Sequence, residues 1–199
     1  MVGDVRQMSE SMAGAALVAL QNEVSVERVT SPVLLREAYQ LRHQVYCVER
    51  GYEQGDDGIE RDDYDAFAHP VVVRWRETGK MVGTVRLVLP KIPSTGDDFT
   101  IEHVCDPALL SDLPFATTGE VSRFALAKLR RQEMRSVSPA TCALLLAALL
   151  GGAVRKRAEA GHTHWLAEME PTLLRLLSAP GLHFKPLGHP LESHGLRQP

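Results

Sequence analysis

Residues Gly119 to Lys128 read G-E-V-S-R-F-A-L-A-K, the composition of a β-strand, yet Glu120 and Arg123 stand there among Val121, Phe124 and Leu126. A carboxylate and a guanidinium in such company are costly unless they find partners or serve a site. In a regular strand, side chains three apart point to opposite faces. A single β-bulge between the two would bring both to one face, and bulges recur beside active sites. An ordinary buried ion pair that holds a sheet together would explain the stretch equally well, so the rest of the chain has to decide.

The chain has 199 residues, enough for one domain with a sizeable core. A formal net charge of −3 leaves no basic footprint, so nucleic acid is not an expected partner. Cys47, Cys105 and Cys142 lie far apart and make neither a disulfide framework nor a C-x-x-C pattern, which suits a reducing compartment. The apolar patch Ala13 to Leu20 is too short to span a bilayer and lacks a basic flank; no transmembrane segment is expected, and the cytoplasm is the expected location. Residues 1–22 read as an N-terminal arm and 23–199 as a single domain.

Val24 to Val29 alternates as a first strand. Ser31-Pro32 signals a helix start, and Leu34, Ala38, Leu41, Val45 and Val48 then mark one helical face, with Tyr39, Arg42, Tyr46 and Glu49 as the adjoining row. An acidic, glycine-containing loop follows, whose carboxylates are out of register for a calcium loop. Pro70 to Arg76 and Met81 to Pro90 read as a hairpin that puts Arg86 in the middle of an apolar strand. Beyond the strand at Val121 to Ala127 come a basic connection, a helix from about Ser138 to Ala160, a strand at His162 to Met169, a helix at Pro171 to Leu177 and a last strand at Leu182 to Leu187. This order predicts an α/β (α+β) sandwich, with a mixed sheet flanked by helices. No nucleotide-binding glycine loop, nucleophile elbow or set of metal ligands is present, so no metal and no bound cofactor are expected.

Several pieces together carry a resemblance. L-R-H-Q-V-Y (Leu41 to Tyr46), the aromatic Tyr52, D-D-Y-D (Asp62 to Asp65), G-T-V-R-L-V-L-P (Gly83 to Pro90) and G-E-V-S-R-F-A-L (Gly119 to Leu126) resemble, in order, the acyl-homoserine-lactone synthases. Those enzymes and the related N-acyl amino acid synthases are a branch of the GNAT-like acyltransferases. The resemblance implies a GNAT-like fold with a mostly antiparallel sheet and splayed central strands. It places Arg42, Tyr46, Asp62, Asp65, Arg86, Glu120 and Arg123 at signature positions. Glu120, Arg86 and Arg123 would be catalytic; Arg42, Tyr46, Tyr52, Asp62, Asp65, Ser122 and Phe124 would contact substrate. Tyr52 stands where the lactone synthases usually carry Trp. The tail, M-E-P-T-L-L-R-L-L (Met169 to Leu177), L-H-F-K-P-L-G (Leu182 to Gly188) and L-E-S-H-G-L-R-Q-P (Leu191 to Pro199), resembles the acyltransferases associated with the bacterial PEP-CTERM/exosortase system, which read E-Y-H-G where this chain has E-S-H-G.

The implied reaction is transfer of a fatty acyl group from a thioester, on acyl-carrier protein or CoA, to the amine of an amino acid or similar small molecule. Glu120 would take the amine proton, and backbone N–H groups at the bulge would bind the oxyanion. Arg86 and Arg123 would hold Asp62 and Asp65. The basic, glycine-rich loop of CoA-using GNAT enzymes is missing after Leu126; Lys128, Arg130, Arg131 and Arg135 stand there instead and suit an acidic carrier protein. Two other readings compete. One is homoserine-lactone synthesis from S-adenosylmethionine; the other is a non-catalytic module that binds acyl groups or carrier protein, which would need no general base.

Overall fold

The computed structural model describes residues 22–55, 57–92, 94, 96–128, 139–178, 181–193 and 195–199. The expected N-terminal arm falls almost wholly outside these residues, as do Arg130, Arg131 and Arg135. Strand β1 (Val24–Arg28) leads to helix α1 (Pro32–His43). The Ser31 side chain accepts from the Leu34 N–H at 3.2 Å and Pro32 opens the first turn, as the Ser-Pro pair predicts. The helix then widens into a π-helical turn, Gln44–Glu49, of the kind that often marks functional sites.

Strands β2 (His69–Trp75), β3 (Met81–Val88), β4 (Thr118–Leu126) and β5 (His164–Leu166) complete a five-stranded sheet in the order β1-β2-β3-β4-β5. The first four are antiparallel to their neighbours, while β4 and β5 run parallel. Helix α2 (Pro139–Glu159) covers one face, where Leu145, Leu149 and Ala153 pack on Val71, Val85, Leu87 and Val121. Helix α1 covers the other, with Ala38, Leu41 and Val45 against Val72 and Ala125. Since side chains alternate along β3, Val85 and Leu87 face α2, and Thr84, Arg86 and Val88 face the α1 side. Every residue of β3 is buried, so Arg86 is not an edge residue reaching for water.

Arg86 pairs with Ser122 across the β3–β4 ladder, but Thr84 pairs with Ala125. Val85 therefore faces both Arg123 and Phe124, and the expected bulge sits at those two residues. Arg123 adopts a φ of 52°, a left-handed conformation that costs a side-chain-bearing residue about 1–2 kcal/mol. The bulge turns Phe124 toward α2 and leaves Ser122 and Arg123, though consecutive, on the α1 side with Glu120. On the other edge, β4 meets β5 over only three pairs, the last being Glu120 with Leu166. Beyond them the strands part, which is the splay the resemblance implies.

Helix α3 (Pro171–Ser178) and a small hairpin, β6 (Leu191–Glu192) and β7 (Leu196–Arg197), close the chain. Two expected strands differ. The segment at 162–169 forms a strand only over His164–Leu166. Leu182 to Leu187 forms none: Leu182 N–H bonds back to Leu177 O at 3.1 Å, Leu187 N–H reaches Pro199 O at 3.0 Å, and Pro186 has no N–H to give. Its apolar side chains, Leu182 and Phe184, pack under α2 without joining a ladder. Among the described residues no helix is long and apolar enough to cross a membrane.

Gly119 opens the sheet toward Trp165, since a Cβ there would lie 2.8 Å from the indole ring. Gly119→Ala is therefore expected to lower stability by about 1–3 kcal/mol, measured by chemical denaturation. An unchanged denaturation midpoint would show that Trp165 moves aside at no cost.

Candidate active site

The acidic loop after Gly51 is built around its own carboxylates. Asp62 caps the short 3-10 turn Asp63–Ala66 by accepting from Tyr64 N–H at 3.0 Å, and Asp65 accepts from Asp62 N–H at 2.9 Å. This reciprocal box fixes D-D-Y-D so that both aspartates turn toward the sheet.

There they meet three arginines from three elements. Arg42 of α1 donates both terminal nitrogens to Asp65, at 2.7 and 2.9 Å, and its Nε to Glu60. Arg86 of β3 donates to Asp62 through Nη1 and to Ser122 Oγ through Nε at 3.1 Å, with Asp65 at 3.4 Å. Arg123 at the bulge donates to Glu60 at 3.0 Å and lies 2.9 Å from Asp62, with Glu53 at 3.6 Å. Each guanidinium also faces a tyrosine ring: Arg42 over Tyr39, Arg86 over Tyr64 and Arg123 over Tyr46, at 5.2–5.7 Å. The expected contacts of Arg86 and Arg123 with the acidic loop are thus present, and Arg42 joins the same network.

Burial alone would lower the Arg42 and Arg123 pKa values, but the carboxylates outweigh it and both are raised. For Asp65 burial pushes upward, and the Arg42 hydrogen bonds more than offset it, so its carboxyl sits below the ordinary range. Burial raises the Tyr46 phenol, whose hydroxyl donates to the bulge carbonyl of Phe124 at 2.8 Å.

Glu120 lies on the same face but takes no part in that network. It is fully buried; Thr100 Oγ1 donates to one carboxylate oxygen at 2.7 Å and Ile101 N–H to the other at 2.9 Å. Ser122 is buried against Arg86, and Phe124 packs in the apolar cluster of Leu146, Met169 and Leu177 beneath the splay. Tyr52 stands apart, toward the tail, where its hydroxyl donates to Glu170 at 3.1 Å. Lys128 is exposed and its N–H bonds the Glu49 carboxylate.

Sequence reasoning overlooked Glu60 and Thr100. Glu60 was detectable by charge balance, because three arginines brought to two aspartates leave one cation unanswered. Thr100, which opens the short 3-10 turn Thr100–His103, carried no comparable signal. No group of potential metal ligands forms among the described residues.

A five-stranded sheet whose fourth strand bulges and then parts from a parallel fifth, with the charged network on the bulge, is a distinctive frame. The family model for the acetyltransferase (GNAT) domain matches residues 41–137, a span that contains every arginine and carboxylate of the network. The fold is the GNAT fold. The domain makes the chain an acyltransferase. Among solved structures, TofI, determined with an inhibitor and MTA, is 24% identical, with 88% of each chain covered and a TM-score of 0.65. BjaI, a CoA-dependent acyl-homoserine lactone synthase solved with SAM and isopentyl-CoA, is 20% identical over 88% of this chain and 80% of its own, at 0.65. FeeM, an N-acyl amino acid synthase from uncultured soil microbes, is 14% identical over 88% of both, at 0.60. At these identities the likeness is one of GNAT fold. No curated protein sequence matches the chain.

Glu60→Gln leaves Arg42 and Arg123 short of a buried counter-charge and is expected to cost about 3–5 kcal/mol in denaturation experiments. The lowered pKa of Asp65 sets a sign for acid. Its stabilisation is present above the unfolded value of about 4 and is lost as pH falls through the lower folded value. Stability should therefore drop below about pH 4, and Asp65→Asn, weaker at neutral pH, should show a shallower acid limb.

Proposed function

We propose that the chain transfers a fatty acyl group from an acyl thioester to the amine of an amino acid or similar small molecule. The observation that carries this reading is the bulge at Arg123 and Phe124, placed where β4 leaves β5 and walled on one side by apolar side chains. The acyl chain lies along Phe124, Leu146, Met169 and Leu177, and the thioester carbonyl sits at the bulge. Arg86 Nη2, buried and without a hydrogen-bond partner among the described residues, is a donor that a substrate oxygen would satisfy.

The amine lone pair attacks the thioester carbon, and the carbonyl oxygen takes the charge, stabilised by backbone N–H groups at the bulge. The amine proton passes to Thr100 Oγ1 while the Thr100 hydroxyl proton moves to Glu120, which accepts from Thr100 as its side-chain hydrogen-bond partner among the described residues. Collapse of the intermediate breaks the C–S bond, and the proton held by Glu120 returns through Thr100 to the departing thiolate, which leaves as the thiol. Arg42, Arg86 and Arg123 hold the acidic loop over this centre. Tyr46 positions the bulge.

Acyl-carrier protein is the proposed donor, supported by the basic residues that follow β4, with Lys128 exposed beside the site. Likeness in fold to a CoA-dependent lactone synthase favours a second reading, lactone formation with SAM as acceptor. The residues of the tail support a narrower version of the first, an acyltransferase of a bacterial PEP-CTERM/exosortase system working in the cytoplasm.

Incubation of the purified chain with fatty-acyl CoA and fatty-acyl carrier protein, each with mixed amino acids and with SAM, followed by mass spectrometry, tests this. An N-acyl amino acid is expected, formed faster from the carrier protein, and Thr100→Val and Glu120→Gln should each slow it about 100-fold or more. A lactone would establish the second reading. Hydrolysis alone, with no amide from either thioester, would sink both.

A further inference from the structure

Glu120 takes its hydrogen bonds from the Thr100–His103 turn, while the arginines hold the acidic loop, and one side chain reaches both groups. Tyr64 N–H donates to Asp62 Oδ1 at 3.0 Å, the same oxygen that accepts from Arg86 Nη1, and the Tyr64 ring faces the Arg86 guanidinium at 5.7 Å. Its hydroxyl points the other way. It donates to Asp97 Oδ1 at 2.5 Å, with Phe99 O a longer second acceptor at 3.4 Å. His103 Nε2 reaches the phenol oxygen at 2.9 Å and Asp97 at 3.0 Å. Phe99 is the N-cap of the turn and His103 its last residue. One phenol therefore meets both ends of the turn whose Thr100 Oγ1 and Ile101 N–H are donors to Glu120.

Ring and hydroxyl do different things. The ring lies 5.8 Å from Phe67 and packs on the buried cluster of Val88, Phe99 and Ile101, so the hydroxyl starts from a fixed point. Its partners are in solvent: His103 is 63% exposed and Asp97 60%. Exposed pairs of that kind contribute little to overall stability. What they can do is hold the turn in place. A 3-10 turn has poor hydrogen-bond geometry of its own, here Glu102 N–H to Phe99 O at 3.3 Å, and profits from an outside anchor. The Asp97 carboxyl sits below its ordinary range, chiefly because it accepts from Tyr64, and so remains an ionised acceptor for that anchor.

We propose that Tyr64 is a positioning residue for proton transfer: its hydroxyl sets the Thr100–His103 turn against Glu120 and ties that turn to the Asp62–Arg86 pair. The inference rests on the acyl-transfer reading, with Thr100 as the relay. It makes the acidic loop more than a counter-charge for the arginines. A displacement of the loop is passed through one phenol to the Thr100 hydroxyl, so the charged network and the proton route move together.

Two measurements test it. Tyr64→Phe keeps the ring on Arg86 and removes the hydroxyl; His103→Gln alters the far end of the turn, leaves the loop intact and carries the test if Tyr64→Phe does not fold. Tyr64→Phe is expected to lower kcat for amide formation about 10-fold with both KM values within about twofold of the wild type, and His103→Gln to do so in smaller measure. In a Thr100→Val background neither should slow the reaction further, because a residue that acts through Thr100 is not additive with its loss. An unchanged kcat, a raised KM, or a loss that adds in full to that of Thr100→Val overturns the proposal. The second measurement is amide hydrogen exchange on the substrate-free protein. Ile101 N–H should exchange about 10-fold faster in Tyr64→Phe, with the amides of the antiparallel strands unchanged. That result, with no amide formed by the wild type, leaves the tie standing and places the failure in the acyl-transfer reading. Unchanged exchange at Ile101 in both variants overturns the proposal.

Discussion

Arg86 stands at the middle of a central strand with apolar neighbours on both sides, and a buried guanidinium is tolerated only where carboxylates come to it. Much of the α1 side follows from that requirement. The acidic loop is drawn over the sheet because Asp62 and Asp65 answer Arg86, and Arg42 on α1 then shares Asp65. Arg123 can reach the same carboxylates only because the bulge turns it from the α2 side. The backbone strain at Arg123 is offset by the ion pairs with Glu60 and Asp62 that it makes possible.

The two faces of the sheet divide the labour. Toward α2 the packing is apolar and could belong to many α/β domains. Toward α1 it is a lattice of charge, with each arginine held in a plane by a ring and a carboxylate. Such a lattice is rigid because a guanidinium fixes direction as well as distance; lysine in its place would lose the fork and the ring contact together. Rigidity there suits acyl transfer, where the reacting carbonyl must be held against a fixed set of donors.

Much of this was legible in the sequence. The hairpin, the capped first helix and the long second helix follow from periodicity and from Ser31-Pro32, and the bulge follows from two charges three residues apart in an apolar strand. The resemblance supplied the site positions. What escaped was nonlocal. Glu60 lies among several carboxylates of one loop, and only the meeting of three distant arginines singles it out. Thr100 precedes its partner Glu120 by 20 residues and opens a 3-10 turn, Thr100–His103, too short for periodicity to announce. Leu182 to Phe184 has the apolar character of a strand, yet it packs in the apolar cluster under α2 and does not join the open edge of β5.

The three rungs that join β4 to β5 also set how the molecule comes apart. Everything from His164 onward meets the sheet through one short parallel seam and side-chain packing under α2, and is tied to Tyr52 and Arg50 through Glu170. Stability is not shared evenly across such a joint: the antiparallel strands form a unit that opens only with the whole domain, whereas the tail can release by itself at lower cost. The proposed acyl site lies along that boundary, where a local opening event would admit a long hydrocarbon chain while the charged lattice stays assembled.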